Sequence, residues 1–216
     1  MGAVIFDLDG VLIDSMPTHV RAWQSAFESI AGIKATERDI YRLEGMRGME
    51  LIMKMFEQRG GDSLLAKQVL DEKNRIFRSA RRSVPFDGAA KMLDRLSCPK
   101  AVVSGSAKAD VEPILDEAFG KSKFSTVITA DDVKAGKPDP FAFLEAAKQL
   151  KVIPQEAVVI ENAPLGAEAA RKAGMICFIA LNNTPLAIDD FKSIVREDRV
   201  FKTTGSLAEI LVSMCA

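Results

Sequence analysis

The sequence predicts an α/β fold in which helices cover both faces of a parallel sheet, with a helical segment inserted after the first strand. From about residue 86 onward, short apolar runs alternate with helical stretches. Such alternation is typical of parallel strands joined by helical crossovers. Residues 15–84 break the pattern, because their apolar positions recur at helical spacing.

Short apolar runs are predicted to form the sheet. The first, residues 3–6, must join the others because an isolated strand could not bury its side chains. The remaining strands are predicted at 101–103, 126–129, 157–160 and 176–180. Helices are predicted between them at 109–119, 141–150 and 167–173, the last of which ends at Gly174.

The inserted segment is predicted to be a small helical bundle. Two helices are indicated by apolar stripes, Val20-Trp23-Phe27-Ile30 and Leu51-Ile52-Met55-Phe56. A third helix is predicted over residues 64–80. We therefore expect residues 1–14 and 85–216 to form the α/β core domain and residues 15–84 a helical domain. Two linkers between the domains would permit hinge closure.

Two carboxylates, Asp7 and Asp9, follow the first predicted strand. Side chains at i and i+2 of a strand point to the same side, so the pair can face one ligand together. An ionised carboxylate can act as a nucleophile or as a ligand of a hard cation, and a neighbouring carboxylate can transfer protons. The alternative is a strand that ends in a solvated acidic turn.

Further polar residues follow other predicted strands. Ser104 comes directly after the second strand, Glu161 and Asn162 come after the fourth, and Lys137 lies in a loop that enters a helix. Taken singly, Ser104 could be a helix N-cap and Lys137 a solvated loop residue. Ligands of open α/β sheets bind beyond the carboxyl ends of the strands, so these loops are expected to converge on one catalytic site.

These segments resemble, in order, the four motifs of the haloacid dehalogenase superfamily. The matching residues are Asp7-Leu8-Asp9-Gly10, Ser104, Lys137 and Glu161-Asn162. The resemblance covers essentially the whole chain, and the subgroup most similar is that of β-phosphoglucomutase-like and phosphoglycolate-phosphatase-like members. It implies a Rossmann-like core in which the helical segment is a cap domain. It also implies a Mg²⁺-dependent phosphatase that hydrolyses a small phosphorylated metabolite, a sugar phosphate or phosphoglycolate, through an aspartyl-phosphate.

The same resemblance implies roles for the motif residues. Asp7 would be the nucleophile, and Asp9 would protonate the leaving alcohol and deprotonate the attacking water. Because an ordinary aspartate is ionised at pH 7, Asp9 would need a raised pKa or a strongly basic leaving oxygen. Ser104 and Lys137 would stabilise the charge of the transferring phosphoryl group. An acid at position 9 favours phosphate-ester chemistry over dehalogenation.

Magnesium is the implied cofactor, held by an Asp7 oxygen, the Asp9 carbonyl and the fourth-motif side chain. The sequence departs from the family pattern here, because Asn162 stands where a direct acidic ligand is usual, with Glu161 before it. We expect Mg²⁺ still to bind, more weakly, with Glu161 as a ligand or as an anchor that does not touch the metal. The departure also motivates the alternative of a non-catalytic phosphometabolite-binding protein.

Substrate contacts are expected from four residues, His19, Arg47, Gly105 and Ser106. His19, the single histidine, could touch the substrate or Asp9, or could be a packing residue beside Trp23. Arg47 could bind a second anionic group of the substrate or simply lie exposed.

The runner-up activity is that of a β-phosphoglucomutase-type phosphomutase, which returns the phosphoryl group to a sugar. The mutase-like pattern has a lysine directly after the Ser-x-Ser of the second motif. This chain has Ala107 there, which disfavours the mutase.

Composition limits the partners. The 29 basic and 30 acidic residues give a net charge of −1, which argues against general binding to nucleic acid or membrane surfaces. No stretch approaches the ~20 apolar residues of a membrane span, and no signal peptide is expected.

Cys98, Cys177 and Cys215 predict neither a disulfide framework nor a zinc site, which favours a reducing compartment. We expect a soluble, cytoplasmic protein, and the oligomeric state is not set by the sequence.

Overall fold

In the computed structural model, which describes residues 1–215 except for the Lys121 side chain, a six-stranded parallel sheet carries helices on both faces. The strands are β1 (Ala3–Phe6), β2 (Lys100–Val103), β3 (Thr126–Ile128), β4 (Ala157–Glu161), β5 (Ile176–Ala180) and β6 (Val200–Phe201). The helices are α1 (Met16–Ala31), α2 (Glu37–Arg42), α3 (Gly48–Arg59), α4 (Ala66–Ala80), α5 (Ala89–Arg95), α6 (Lys108–Phe119), α7 (Phe141–Gln149), α8 (Pro164–Lys172) and α9 (Thr204–Cys215). The predicted α/β, Rossmann-like fold is confirmed.

Among the described residues, no helix combines the length and apolar character needed to cross a membrane.

The strand β1 lies inside the sheet, whose order is β3-β2-β1-β4-β5-β6. The chain moves outward from β1 to β3 on one side and from β4 to β6 on the other. The order therefore reverses between β1 and β4, and such a reversal opens a crevice at the carboxyl ends of the strands. Ile5 pairs with Ala101 of β2 and with Val159 of β4, which places the residues that follow these three strands at one edge.

Both faces of β1 are buried, and its side chains alternate between two apolar cores. Ala3 and Ile5 pack in the core that includes α7 and α8, whereas Val4 and Phe6 pack in the core that includes α5, α6 and α9. All four side chains have no exposed surface. This two-residue period is expected of a strand covered on both faces, and it explains why the N-terminal run reads as continuously apolar.

Residues 16–80, which form α1 to α4, are called the helical insert below. The predicted stripe of α1 is buried at Val20, Trp23 and Phe27, and this helix packs against α4. The sequence prediction missed the short helix α2, which begins with a capping box between Thr36 and Asp39. It also missed α5, β6 and α9, which have weak or short periodic patterns.

The cysteine prediction is wrong. Cys98 and Cys215 form a disulfide with their Cα atoms 5.5 Å apart, while Cys177 is a buried free thiol. The two bonded residues are 117 positions apart, and the fold brings the end of α9 to the turn before β2. Pairing at this separation depends on tertiary structure and cannot be deduced from spacing. The argument for a reducing compartment therefore loses the observation on which it rested.

A buried polar network fixes the turn that carries Asp9. The Asn182 side chain donates hydrogen bonds to the Gly10 carbonyl at 2.9 Å and to the Thr204 hydroxyl at 2.7 Å. The Thr204 hydroxyl donates to the Val11 carbonyl at 2.6 Å, and its backbone N–H donates back to Asn182 Oδ1 at 2.8 Å. Since buried polar groups are costly without partners, this network holds the turn after β1 against the start of α9.

We predict that Thr204→Val lowers the free energy of unfolding by about 1–3 kcal/mol, because the Val11 carbonyl loses its buried donor. Thr204→Ser keeps the hydroxyl, so it should lower the free energy of unfolding by less than half as much as Thr204→Val. Urea unfolding of the two variants and the wild type measures both. Equal destabilisation by valine and serine would mean that the methyl group, not the hydrogen bond, matters at this position.

Candidate active site

The carboxyl edge of the sheet collects the polar residues of all four sequence motifs. Asp7 and Asp9 follow β1, Ser104 follows β2, and Asn162 follows Glu161, the last residue of β4. Lys137 reaches the same place from the loop before α7. Each of these six side chains lies in a residue no more than 7% exposed. Six polar groups buried together require mutual pairing or a ligand.

Lys137 forms the central ion pairs of this cluster. Its ammonium group contacts Asp7 Oδ1 and lies 2.5 Å from Glu161 Oε1. Burial alone would lower the pKa of Lys137, but the two carboxylates outweigh burial and raise it above its usual range. Lys137 therefore stays protonated, whereas burial, only partly offset by Lys137, raises the pKa of Asp7 well above its usual range.

Both carboxylate oxygens of Glu161 have protein partners. Besides Lys137 on Oε1, its Oε2 accepts hydrogen bonds from the backbone N–H groups of Asn162 at 3.0 Å and Ala163 at 3.2 Å. The side chain is 1% exposed. Of the two predicted roles, these contacts favour an anchor that does not touch a metal.

Asp9 accepts hydrogen bonds on both carboxylate oxygens. Oδ1 is 2.5 Å from the Ser15 hydroxyl and 3.1 Å from His19 Nε2, and Oδ2 accepts from the Ser104 and Ser106 hydroxyls at 3.3 and 3.2 Å. Burial alone would raise the pKa of Asp9, but His19 and Ser15 lower it below its usual range. The predicted alternative of a raised pKa is therefore wrong for the protein without substrate, in which Asp9 is ionised.

His19 makes the predicted contact with Asp9, and it packs against Phe77 where Trp23 was the predicted neighbour. Because Asp9 is ionised and only accepts, Nε2 of His19 must carry the proton in their shared hydrogen bond. The imidazole also stacks on Phe77, with ring centroids 3.9 Å apart. Its burial lowers its pKa, which favours the neutral ring. His19 is thus both a packing residue and a donor to Asp9.

Two buried oxygen atoms have no hydrogen-bond partner among the described residues, Asp7 Oδ2 and Asn162 Oδ1. Buried acceptors of this kind need a donor or a cation. A carboxylate and an amide oxygen are the hard ligands that suit Mg²⁺. Within residues 1–215, no group of three or more His, Cys, Asp or Glu side chains is placed to hold a metal. A cation here would therefore depend on amide and carbonyl oxygens as well as carboxylates, as the presence of Asn162 predicts.

The loop between α2 and α3 of the helical insert is seated directly on the core. The Gly45 carbonyl accepts from the Lys137 backbone N–H at 3.0 Å, and Glu50 accepts from the Gly136 N–H at 3.0 Å. Gly45 has a φ of +91°, and a Cβ there would lie 2.6 Å from Lys137 Cδ. Position 45 thus requires glycine for both backbone conformation and space.

A cavity of about 320 Å³ separates the insert from the core. Asp7 and Asp9 line it, together with the four predicted substrate residues His19, Arg47, Gly105 and Ser106. Ser104, Lys137, Glu161 and Asn162 lie behind this surface. Arg47 is half-buried, and its Nη1 donates to the Lys134 carbonyl at 2.9 Å, so it bridges insert and core rather than lying free on the surface.

A family model described as haloacid dehalogenase-like hydrolase matches residues 1–174. The chain belongs to the haloacid dehalogenase-like hydrolases. The resemblance to this family that the sequence indicated is therefore confirmed.

Relatives and solved structures of this hydrolase family agree with that assignment. The chain is 31% identical to a phosphorylated carbohydrates phosphatase of Thermotoga maritima, over 81% of this chain and 82% of that protein. It is 30% identical to a β-phosphoglucomutase of Bacillus subtilis, over 81% of each. A hydrolase from Pseudomonas syringae superposes with a TM-score of 0.89 at 25% identity, covering 100% of both chains.

Sequence reasoning missed two residues of the hydrolase cavity, Glu44 and Lys73. Glu44 accepts hydrogen bonds from the Asn162 side-chain amide at 3.2 and 3.0 Å, and burial with the charges of Asp7 and Glu161 raises its pKa well above the usual range. No motif marks it. Lys73 could have been noticed, because it lies on the apolar face of α4, four residues from both Val69 and Phe77.

Lys73 is a buried cation that forms no ion pair among the described residues. It is 7% exposed, and its ammonium group lies 5.1 and 4.8 Å from the ring centroids of Trp23 and Phe77. Burial lowers its pKa from 10.5 to about 8. A retained, unpaired buried charge at a cavity wall is typical of a residue kept for ligand binding rather than for stability.

We predict that Lys73→Met raises the free energy of unfolding by about 1–3 kcal/mol at pH 7, because the unfolded chain keeps the ordinary lysine pKa. Between pH 8 and 10.5 the unfolded state binds more protons, so the wild type gains stability with rising pH. The difference in free energy of unfolding between the variant and the wild type should therefore be largest below pH 8 and disappear by about pH 10.5.

Thermal unfolding across pH 6–11 measures this difference. Lys67→Met on the same helix, where the side chain is 82% exposed, serves as the matched control and should change little. A variant at position 73 that is less stable than the wild type at pH 7 would show that the buried charge carries no such penalty.

Proposed function

We propose that this hydrolase is a Mg²⁺-dependent phosphatase of a small phosphorylated carbohydrate, acting through an aspartyl-phosphate on Asp7. One observation carries the proposal. Asp7 faces the cavity with one oxygen paired to Lys137 and the other without a protein partner, and a second carboxylate, Asp9, stands beside it. This arrangement supplies a nucleophile, a cation site and a proton-transfer group within one buried pocket.

The first step forms the phosphoenzyme. An Asp7 oxygen attacks phosphorus, and the bond from phosphorus to the sugar oxygen breaks. The sugar oxygen takes a proton from Asp9. A bound phosphate dianion places negative charge beside Asp9 and raises its pKa, so the acid form arises when substrate binds. His19 and the Ser15, Ser104 and Ser106 hydroxyls hold this carboxylate in place.

The second step releases phosphate. Asp9, now ionised, accepts a proton from a water molecule as that water attacks the phosphorus of the aspartyl-phosphate. The bond to the Asp7 oxygen breaks, and the carboxylate is regenerated. Throughout, Lys137 stabilises negative charge on Asp7. Mg²⁺, held by Asp7, the Asp9 carbonyl and Asn162, would neutralise charge on the phosphoryl oxygens.

The cavity supports a small, polar substrate. Its volume of about 320 Å³ is at the lower end of the range of small-molecule sites. Asn74 and the unpaired cation Lys73 extend from α4 on the wall provided by the helical insert, where they can bind hydroxyl groups or a second anionic group. The insert, with limits at residues 15 and 84, would act as a cap domain. The Thermotoga maritima relative is named as a phosphatase of phosphorylated carbohydrates, which are small polar substrates of the kind proposed for this cavity.

The second candidate is a phosphomutase, for which the β-phosphoglucomutase relative is the specific support. The same Asp7 would then pass its phosphoryl group to a sugar hydroxyl instead of water. Ala107, in place of the lysine of the mutase pattern, favours the phosphatase. A non-catalytic binding protein would have no need of the buried pair of Asp7 with Lys137. The cytoplasmic location stays a prediction.

The deciding experiment is a screen of phosphorylated metabolites with Mg²⁺ that follows both released phosphate and isomer formation. Release of phosphate from hexose or pentose phosphates without a bisphosphate primer is the expected result. Isomer formation that needs a bisphosphate and releases no phosphate would establish the mutase instead. Binding without turnover of any compound would contradict both activities.

We predict that Asp7→Asn lowers the turnover rate by at least about a thousandfold while leaving the circular dichroism spectrum unchanged, because no other group can replace the nucleophile. Asp14→Asn is the matched control, since Asp14 is exposed in the same segment, and it should retain most activity. Substantial turnover by the Asp7 variant on the substrate found in the screen would exclude the covalent mechanism.

A further inference from the structure

The side-chain amide of Asn162 is held in one orientation by a residue of the helical insert. Both oxygens of Glu44 accept hydrogen bonds from Asn162 Nδ2, at 3.2 and 3.0 Å. A carboxylate can only accept, so the group of Asn162 that faces it must be the NH₂. The carbonyl oxygen must therefore face away from Glu44, and this oxygen is buried and has no partner in residues 1–215.

Glu44 also adds a carboxyl group to the cluster around Lys137. Within the described part of the chain Glu44 forms no ion pair, and its hydrogen-bond partner is neutral. Lys137 already serves two carboxylates, Asp7 and Glu161. The junction between insert and core thus brings four carboxyl groups, those of Asp7, Asp9, Glu161 and Glu44, close to the ammonium group of Lys137. A divalent cation would reduce the repulsion among them.

We infer that Glu44 is a positioning residue that supplies, from the helical insert, the negative charge that Asn162 lacks for binding Mg²⁺. Its carboxylate orients and polarises the Asn162 amide, so that Oδ1 becomes a better ligand. This inference rests on the proposed function, because it concerns the same cation site. It deepens that proposal by assigning the site to two parts of the chain, the core and the insert.

One consequence is that Mg²⁺ binding and closure of the helical insert are linked. Glu44 reaches Asn162 because the neighbouring Gly45 is hydrogen-bonded to Lys137. If the insert moves away, the cation site loses the charge of Glu44, so Mg²⁺ favours the closed arrangement by the same factor that closure favours Mg²⁺.

The test is calorimetric titration with Mg²⁺ alone, without substrate, so that the readout is affinity and not activity. Glu44→Gln should weaken Mg²⁺ binding about tenfold to hundredfold, the scale for losing a partner of a metal ligand. A glutamine at position 44 can still accept from the Asn162 amide, so this change removes the charge and keeps the contact.

The charge swap Glu44→Gln with Asn162→Asp provides the rescue. The introduced glutamine can donate to the introduced aspartate, which restores one carboxylate to the pair, and Mg²⁺ affinity should return to the wild-type value or exceed it. Because Asn162→Asp alone also supplies an anionic ligand, it is measured as the third corner of the cycle. Glu44→Gln should then weaken Mg²⁺ binding much less in the Asn162→Asp background than in the wild type, whereas an equal loss in both backgrounds would overturn the role of Glu44. Such non-additivity is what a double-mutant cycle measures for residues in contact.

Two controls separate the possible failures. Glu57→Gln, the same change at an exposed position of α3, should leave affinity unchanged. Glu50→Gln weakens the contact between insert and core but does not involve Asn162. If Glu50→Gln lowered Mg²⁺ affinity as much as Glu44→Gln does, the role assigned to Glu44 would be overturned. Unchanged affinity in Glu44→Gln, with binding abolished in Asp7→Ala, would overturn the inference and leave the proposed function intact. Absence of Mg²⁺ binding by the wild type would overturn both.

Discussion

The buried ion pairs of Lys137 are the interaction on which the site depends. Removing one partner from such a cluster typically costs about 3–5 kcal/mol, because the remaining charge is left without compensation. Lys137 connects Asp7 after β1 with Glu161 at the end of β4, across the point where the strand order reverses. Glu161 in turn binds the backbone of the turn that starts α8. One ammonium group thus links the ends of two strands and holds the side chain of Asp7 in place.

Several residues of the candidate active site come from the helical insert. The core supplies Asp7, Asp9 and the serine partners of Asp9. The insert supplies one wall of the cavity, the histidine that donates to Asp9 and the cation of Lys73. His19 and Lys73 both belong to it. Contacts through Gly45 and Glu50 seat its loop on the loop of Lys137. In the proposed mechanism, closure of the insert would therefore complete the surroundings of Asp9 and cover Asp7.

The sequence was most informative where short-range patterns determine structure. Buried strands and the helices α1, α6 and α7 follow directly from apolar periodicity, and the polar residues that follow three of the strands could be located from the ends of the apolar runs. Short elements such as α2 depend on a capping box and tertiary packing, so periodicity does not show them. The disulfide between Cys98 and Cys215 depends on where α9 ends in space, which no local pattern encodes.

The site could be predicted as a list of residues but not as a set of contacts. The motif spacing placed Asp7, Lys137 and Glu161 together, yet it left open whether Glu161 binds a metal, and the contacts favour an anchor. The ionised state of Asp9 depends on His19 and Ser15, one of which lies in the insert. Glu44 could not be predicted from the sequence, because its role depends on a hydrogen bond to Asn162, which is 118 residues away.

Direct detection of the phosphoenzyme tests the central claim that Asp7 is the nucleophile. During turnover of the substrate identified by the screen, rapid quenching followed by borohydride reduction would convert an aspartyl-phosphate into homoserine, which peptide mass spectrometry can locate. We expect homoserine at position 7 and at no other position that carries an aspartate in the sequence. Efficient turnover with no modified peptide, or with the modification at a different residue, would contradict it.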